Sequence, residues 1–258
     1  MKNSSKRILL LNDSPGCGNI ALNAMTPALK NYGYEVFTLP TAVISNPLNY
    51  GKHAMVDMTD YMKDAIRVWE DLSFSFDAIA TGFLASHEQA LFLEDYCRKM
   101  SDRNCKIFCD PIMADHGKFY RSKSSENVED FKRILKYADY CVPNYTEGCF
   151  LSGVTYCEDG LSREKMRAMI EKIRELGPKS VIITGTKVDG QDVCAGYDGD
   201  NDFYFMVPYN RLPVNVSGAG DLFLAMLIGE IMKDSSEALE NIVEKVSVIL
   251  CEQIKKQS

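Results

Sequence analysis

Asn215-Val216-Ser217-Gly218-Ala219-Gly220-Asp221, running straight into the apolar segment 222–228, is the stretch around which this chain is read. Its small residues let backbone N–H groups turn inward. The helix that begins there aims its unsatisfied donors and positive dipole end at an anion. Asp221 falls in the first turn of that helix. A carboxylate beside an anion hole can accept a hydroxyl proton while the hole balances charge on a phosphoryl group. A plain helix start that favours an acidic residue gives the same string, so the rest of the chain has to decide.

Upstream of that turn, apolar runs of strand length alternate with longer stretches of helical period. This is the pattern of a parallel sheet covered on both faces. Strands are predicted at 8–12, 34–39, 77–81, 106–109, 140–142 and 180–184. Helices are predicted at 58–72, 88–100, 128–137 and 162–176, and at 19–32 with an interruption near Pro27 and a stop at Gly33. Segments 192–197 and 203–207 flank an Asp-Gly-Asp-Asn-Asp turn as an antiparallel hairpin, and helices at 219–232 and 236–255 close the chain. No linker, repeat or low-complexity tract divides it, so one α/β domain over 1–258 is expected. Right-handed crossovers put the loops after strand carboxyl ends on one edge, where ligands bind in such sheets.

With 46% hydrophobic and 25% charged residues the composition is that of a packed globular protein. A net charge of -7 with no basic tract argues against a nucleic-acid partner. The nine cysteines lie scattered without a CxxC pair, which reads as reduced thiols in a cytoplasmic protein. The apolar run 8–11 is too short for a secretory signal, and no stretch reaches membrane-spanning length.

Two further segments follow predicted strands. Asp110-Pro111-Ile112-Met113-Ala114-Asp115-His116-Gly117-Lys118-Phe119-Tyr120 brings two carboxylates, and Pro143-Asn144-Tyr145-Thr146-Glu147 an amide and a carboxylate. Hard oxygen ligands at successive strand ends suit magnesium bridging phosphates. Asn144 and Glu147 can equally cap the short helix that ends at Gly153. Together with Leu39-Pro40-Thr41-Ala42-Val43-Ile44-Ser45-Asn46, Tyr50-Gly51 and Thr81-Gly82-Phe83-Leu84, these motifs resemble the ribokinase-like superfamily, in its vitamin-kinase branch of pyridoxal and hydroxymethylpyrimidine kinases.

The resemblance implies a ribokinase-like α/β fold: a central, mostly parallel sheet, helices on both faces and a small antiparallel hairpin. It implies ATP-dependent phosphorylation of the hydroxymethyl group of a B6 vitamer, with Asp221 as base and Gly218, Ala219 and Gly220 as the anion hole. Asp110, Asp115, Asn144, Glu147, Thr184, Gly185 and Ser217 would join Gly218 and Gly220 around ATP, with Asp110 and Glu147 on Mg2+ and a monovalent cation as an optional companion. Ser14, Thr41, Ser45, Asn46, Tyr50 and Asp221 would meet the vitamin, in a homodimer. One departure stands out: pyridoxal kinases usually follow the Ser-Asn pair with His-Thr, where this chain has Pro47 and Leu48. An aliphatic group in place of a bonding hydroxyl alters discrimination between analogues.

Three other readings compete. Hydroxymethylpyrimidine kinase of thiamine synthesis uses the same chemistry. Gly16-Cys17-Gly18-Asn19-Ile20-Ala21 fits a dinucleotide fingerprint, but the second strand ends Thr38-Leu39-Pro40 without the acid that would hold a ribose. A vitamin-binding homologue without catalysis would have no use for a base at the glycine turn. His116 lies in the loop expected near the phosphates, Cys17 reads as a small packing residue, and Trp69 reads as a core anchor on the stripe Met62, Ile66, Trp69, Leu72.

Overall fold

The computed structural model describes residues 5–211, 217–233 and 236–257. Asn215 and Val216 of the glycine-turn motif lie outside them. In chain order the elements are β1 (Arg7–Pro15), α1 (Ala21–Asn31), β2 (Glu35–Ile44), β3 (Met55–Asp57), α2 (Thr59–Asp71), β4 (Ala78–Thr81), α3 (His87–Ser101), β5 (Lys106–Cys109), β6 (Ala114–Asp115) and β7 (Lys118–Phe119). There follow α4 (Ser125–Leu135), β8 (Tyr140–Cys141), α5 (Tyr145–Ser152), α6 (Arg163–Arg174), β9 (Ser180–Val188), β10 (Gln191–Asp198), β11 (Phe203–Pro208), α7 (Ala219–Lys233) and α8 (Leu239–Gln257).

Nine strands form one sheet in the order β11-β10-β9-β8-β5-β4-β1-β2-β3. From β9 to β2 every neighbour is parallel. The antiparallel pairs sit at the two edges. Alternation along β1 explains the layering: Leu9 and Leu11 join the core shared with α2 through α6, whereas Ile8 and Leu10 join the core under α1, α7 and α8. β1 has β2 on one side and β4 on the other, so the order of connection reverses beside it, and a crevice opens at such a point.

Several details differ from expectation. α1 runs unbroken through Pro27, because buried Leu22, Met25 and Leu29 hold the helix on both sides of it. β2 continues past Pro40 to Ile44 by bulging: Asn12 pairs with Pro40 and Ser14 with Val43, so two residues of β2 oppose Asp13. The edge strand β3 and the small hairpin β6-β7 were not foreseen. His116 and Gly117, the two residues between β6 and β7, both have positive φ, as a tight hairpin turn of primed type requires. Trp69 is only partly buried and packs edge-on against Phe37 and Phe76. All nine cysteines are free thiols, and no helix among the described residues is long and apolar enough to cross a membrane.

Candidate active site

Asp221 lies where two helices begin. It occupies the first turn of α7, and its Oδ2 accepts the N–H of Ala21, the first residue of α1, at 2.8 Å. Ala21 holds φ at +46° to present that N–H, a left-handed conformation that costs an alanine about 1 kcal/mol. Oδ1 accepts from Asn12 Nδ2 at 3.2 Å. The orientation of the Asn12 amide is set by its other end, where Oδ1 accepts the N–H groups of Asp13 and Phe83, each at 2.9 Å. The NH2 end of Asn12 therefore faces the carboxylate. Gly82 makes room for the amide: a Cβ there would stand 2.6 Å from Asn12 Cγ. Burial raises the Asp221 carboxyl above its ordinary value, and the Ala21 and Asn12 donors pull it back. The result is a carboxylate held by two donors, partly open, at two positive helix ends.

Gly218 closes the turn against α1, with φ +87° and its Cα so near Asn19 that a Cβ would fall 2.4 Å from that carbonyl oxygen. Around Gly220 a Cβ would meet nothing within 4 Å. Ser217 is exposed and Ala219 half-buried.

One strand position on, Asp13 is nearly buried beside the bulge. Its carboxyl is pushed up to about 7, first by burial and then by the charge of Asp221, while its own N–H and Lys123 pull it down. Between 3.8 and about 7 the folded protein keeps a proton that the unfolded chain has released, so stability falls as pH rises through that window. An Asp13→Asn variant stays neutral. Its stability relative to the parent is expected to rise by roughly 2–4 kcal/mol between pH 4 and pH 8, measured by ligand-free denaturant titration.

The β6-β7 hairpin is tied to the turn between β8 and α5. Asn144 Nδ2 donates to Ala114 O at 2.8 Å, the Gly117 N–H to Thr146 Oγ1 at 3.0 Å, and the Met113 N–H to Glu147 Oε1 at 3.0 Å. Asn144 and Glu147 also form a complete capping box at the start of α5, so the local reading of these two residues is realised as well. Glu147 and Asp110 are buried carboxyls. Burial pushes both up; the charges of Glu147 and Asp221 add to this at Asp110, while the N–H groups of Asn144, Met113 and Ala114 oppose it at Glu147. Asp115 is exposed and pairs with His116 Nε2 at 3.6 Å. Thr184 joins the same edge, its N–H donating to Pro143 O at 3.0 Å, and Gly185 follows with φ +67°.

The remaining candidates are placed differently. Ser14 is half-buried at the end of β1. Thr41 is fully buried, and its hydroxyl has no hydrogen-bond partner. Ser45 Oγ donates to Asn46 Oδ1 and accepts the Ala54 N–H, and Asn46 Nδ2 donates to Lys52 O, so both side chains brace their own loop. Tyr50 is 70% exposed. Gly16 is needed for packing, since a Cβ would fall 2.8 Å from Ser45 O. Asn12, Asp13 and Lys123 are not singled out from sequence, and Ala21 enters there only as the last residue of the dinucleotide-like string. Two polar residues ending the apolar run 8–11 were the available signal for Asn12 and Asp13; Lys123 had none.

The family model described as phosphomethylpyrimidine kinase matches residues 21–256. A pyridoxal kinase of Dictyostelium discoideum is 26% identical over 239 residues, covering 86% of this chain and 77% of that protein. A Bacteroides thetaiotaomicron protein described as a phosphomethylpyrimidine kinase, in an orthorhombic crystal form with pyridoxal, matches with a TM-score of 0.92 and 28% identity over 98% of this chain and 88% of that one. Pyridoxal kinase from Leishmania donovani, in complex with ADP and pyridoxamine, shares the fold with a TM-score of 0.83 at 21% identity, over 97% of this chain and 90% of that one.

Proposed function

The chain belongs to the phosphomethylpyrimidine kinase family, and we propose that it phosphorylates the hydroxymethyl group of a B6 vitamer from ATP, with Asp221 as the base. The observation that carries this assignment is Asp221 itself, oriented by Ala21 and Asn12 beside the Gly218–Gly220 turn. Burial keeps its proton affinity above that of an exposed carboxylate, which brings it nearer the range useful to a general base. It would take the hydroxyl proton as the oxygen attacks, and the N–H groups at the start of α7 would balance charge on the phosphoryl oxygens. Asp115, Asn144, Thr184, Gly185 and Ser217 line the strand ends and the turn from which ATP would be held. A cleft of about 520 Å³ lined by Gln191, Asp192, Pro208, Tyr209, Asn210 and Arg211 is large enough for its base.

Among the described residues no group of three or more His, Cys, Asp or Glu is arranged to hold a metal ion. Magnesium needs fewer, because one or two carboxylates with phosphates and water complete its shell. Asp110 and Glu147 fit it as two buried carboxyls whose charges oppose each other. Bound there, it would supply positive charge to the phosphate oxygens. Ser14 faces the same edge and suits a ring polar atom. Val43 and Val56, exposed apolar partners across the β2-β3 pair, support a second copy of the chain as their cover. Nine free thiols suit a reducing cytoplasm, and the continuous sheet suits one domain.

Leu48, packed near Phe83, favours one second reading, in which a hydroxymethylpyrimidine takes the place of the vitamer. Mg-ATP with pyridoxal, pyridoxine, pyridoxamine or hydroxymethylpyrimidine separates the two by ADP release. Turnover is expected with the B6 vitamers; turnover with the pyrimidine alone would replace this proposal.

A further inference from the structure

We propose that Lys123 and Asp13 select the substrate ring by charge, Lys123 meeting a negatively charged ring oxygen and Asp13 the protonated nitrogen of a hydroxypyridine. Each residue is more than nine-tenths buried, at 9% and 8% exposure. Both lie at the carboxyl edge of the sheet beside the β1-β4 crevice. Asp13 lies near the end of β1; Lys123 Nζ donates to Leu84 O just past β4 and stands 4.0 Å from the centroid of the Phe83 ring. Each feels the other's charge, yet they form no ion pair, and the lysine spends a donor on a carbonyl instead. On its other side Lys123 feels buried Asp130, which is engaged by His87 Nδ1.

Opposite charges buried near one another but held apart are costly unless something polar joins them. An ammonium with one N–H on a carbonyl retains two donors. A hydroxypyridine in its dipolar form carries a negative oxygen and a positive ring nitrogen, complementary to this pair. A neutral aminopyrimidine has no negative oxygen to offer those two remaining donors. Leu48 packs against the cluster that contains Phe83, and Lys123 reaches over the same ring. Lys123 also helps strap its segment down, with Tyr120 N–H on Met113 O and Arg121 on Gly51 O, but a strap alone gives no reason to bury Asp13 opposite.

This inference rests on the vitamer-kinase reading. The test compares kcat/KM for pyridoxine with that for its analogue whose ring hydroxyl is replaced by hydrogen, in the parent and in Lys123→Met. The parent is expected to prefer pyridoxine by about tenfold to a hundredfold, and the variant to lose most of that preference with its KM for ATP retained. Equal loss on both substrates would reduce Lys123 to a strap and overturn the inference. Should the variant not fold, the absorbance of pyridoxine bound to the parent decides: the longer-wavelength band of the ring-oxygen anion is expected, and its absence overturns the inference. Failure of the parent to turn over any vitamer would instead remove the functional reading beneath it.

Discussion

Asp221→Asn should lower turnover by about 10²–10⁴-fold while ATP binding persists. The carboxylate is the acceptor at this turn, and the amide that replaces it cannot take a proton from an alcohol. The geometry adds a second loss. Asn12 presents its NH2 to Asp221 because its oxygen is pinned by the Asp13 and Phe83 N–H groups. An asparagine at 221 has one oxygen to offer: given to Ala21 it leaves its NH2 facing the Asn12 NH2, and given to Asn12 it leaves its NH2 facing the Ala21 N–H. A destabilisation on the order of 1 kcal/mol is therefore expected as well. Steady-state ADP release beside an ATP-binding titration measures both parts. Unchanged turnover would end the role assigned to Asp221 and would place the base on another residue.

How much of this could be read in the chain follows from how local each feature is. The strand 106–109 was legible to the residue because its apolar run is fully buried and bounded on both sides. β3 was not, since Met55, Val56 and Asp57 are all exposed and carry no alternation. β6 and β7 are two residues each, set by a turn and by bonds to α5 rather than by their own pattern. The glycine turn with Asp221 was legible because base and N–H donors are contiguous. Asn12 and Lys123 act through contacts 209 and 39 residues away, and no window along the chain contains both partners. The dinucleotide-like glycines, set aside from sequence for want of a ribose-binding acid, have a structural reason of the same non-local kind: Gly16 answers to the Ser45 carbonyl, a contact of the fold.

Gly218→Ala is expected to have the next largest effect, lowering kcat by about 10²–10³-fold. A Cβ at this position would stand 2.4 Å from the Asn19 carbonyl oxygen and 2.9 Å from Ile20 Cγ2. The nearer atom is backbone, so no rotamer change relieves it. The φ of +87° adds about 1–2 kcal/mol for any residue with a Cβ. The turn must then move away from the start of α1, and the Leu222 N–H, bonded to Gly218 O at 3.0 Å, moves with it. Asp221 lies between those two residues and bridges the same helices through Ala21 N–H. One added methyl group therefore separates the base from one of its two donors while shifting the N–H groups that face the phosphoryl oxygens. Gly220→Ala is the internal comparison, because its Cβ would enter open space, and its kcat should fall less. Measured together with thermal unfolding, a Gly220 effect exceeding that at Gly218 would show that space for the transferred group, rather than the seam between α1 and α7, limits this turn.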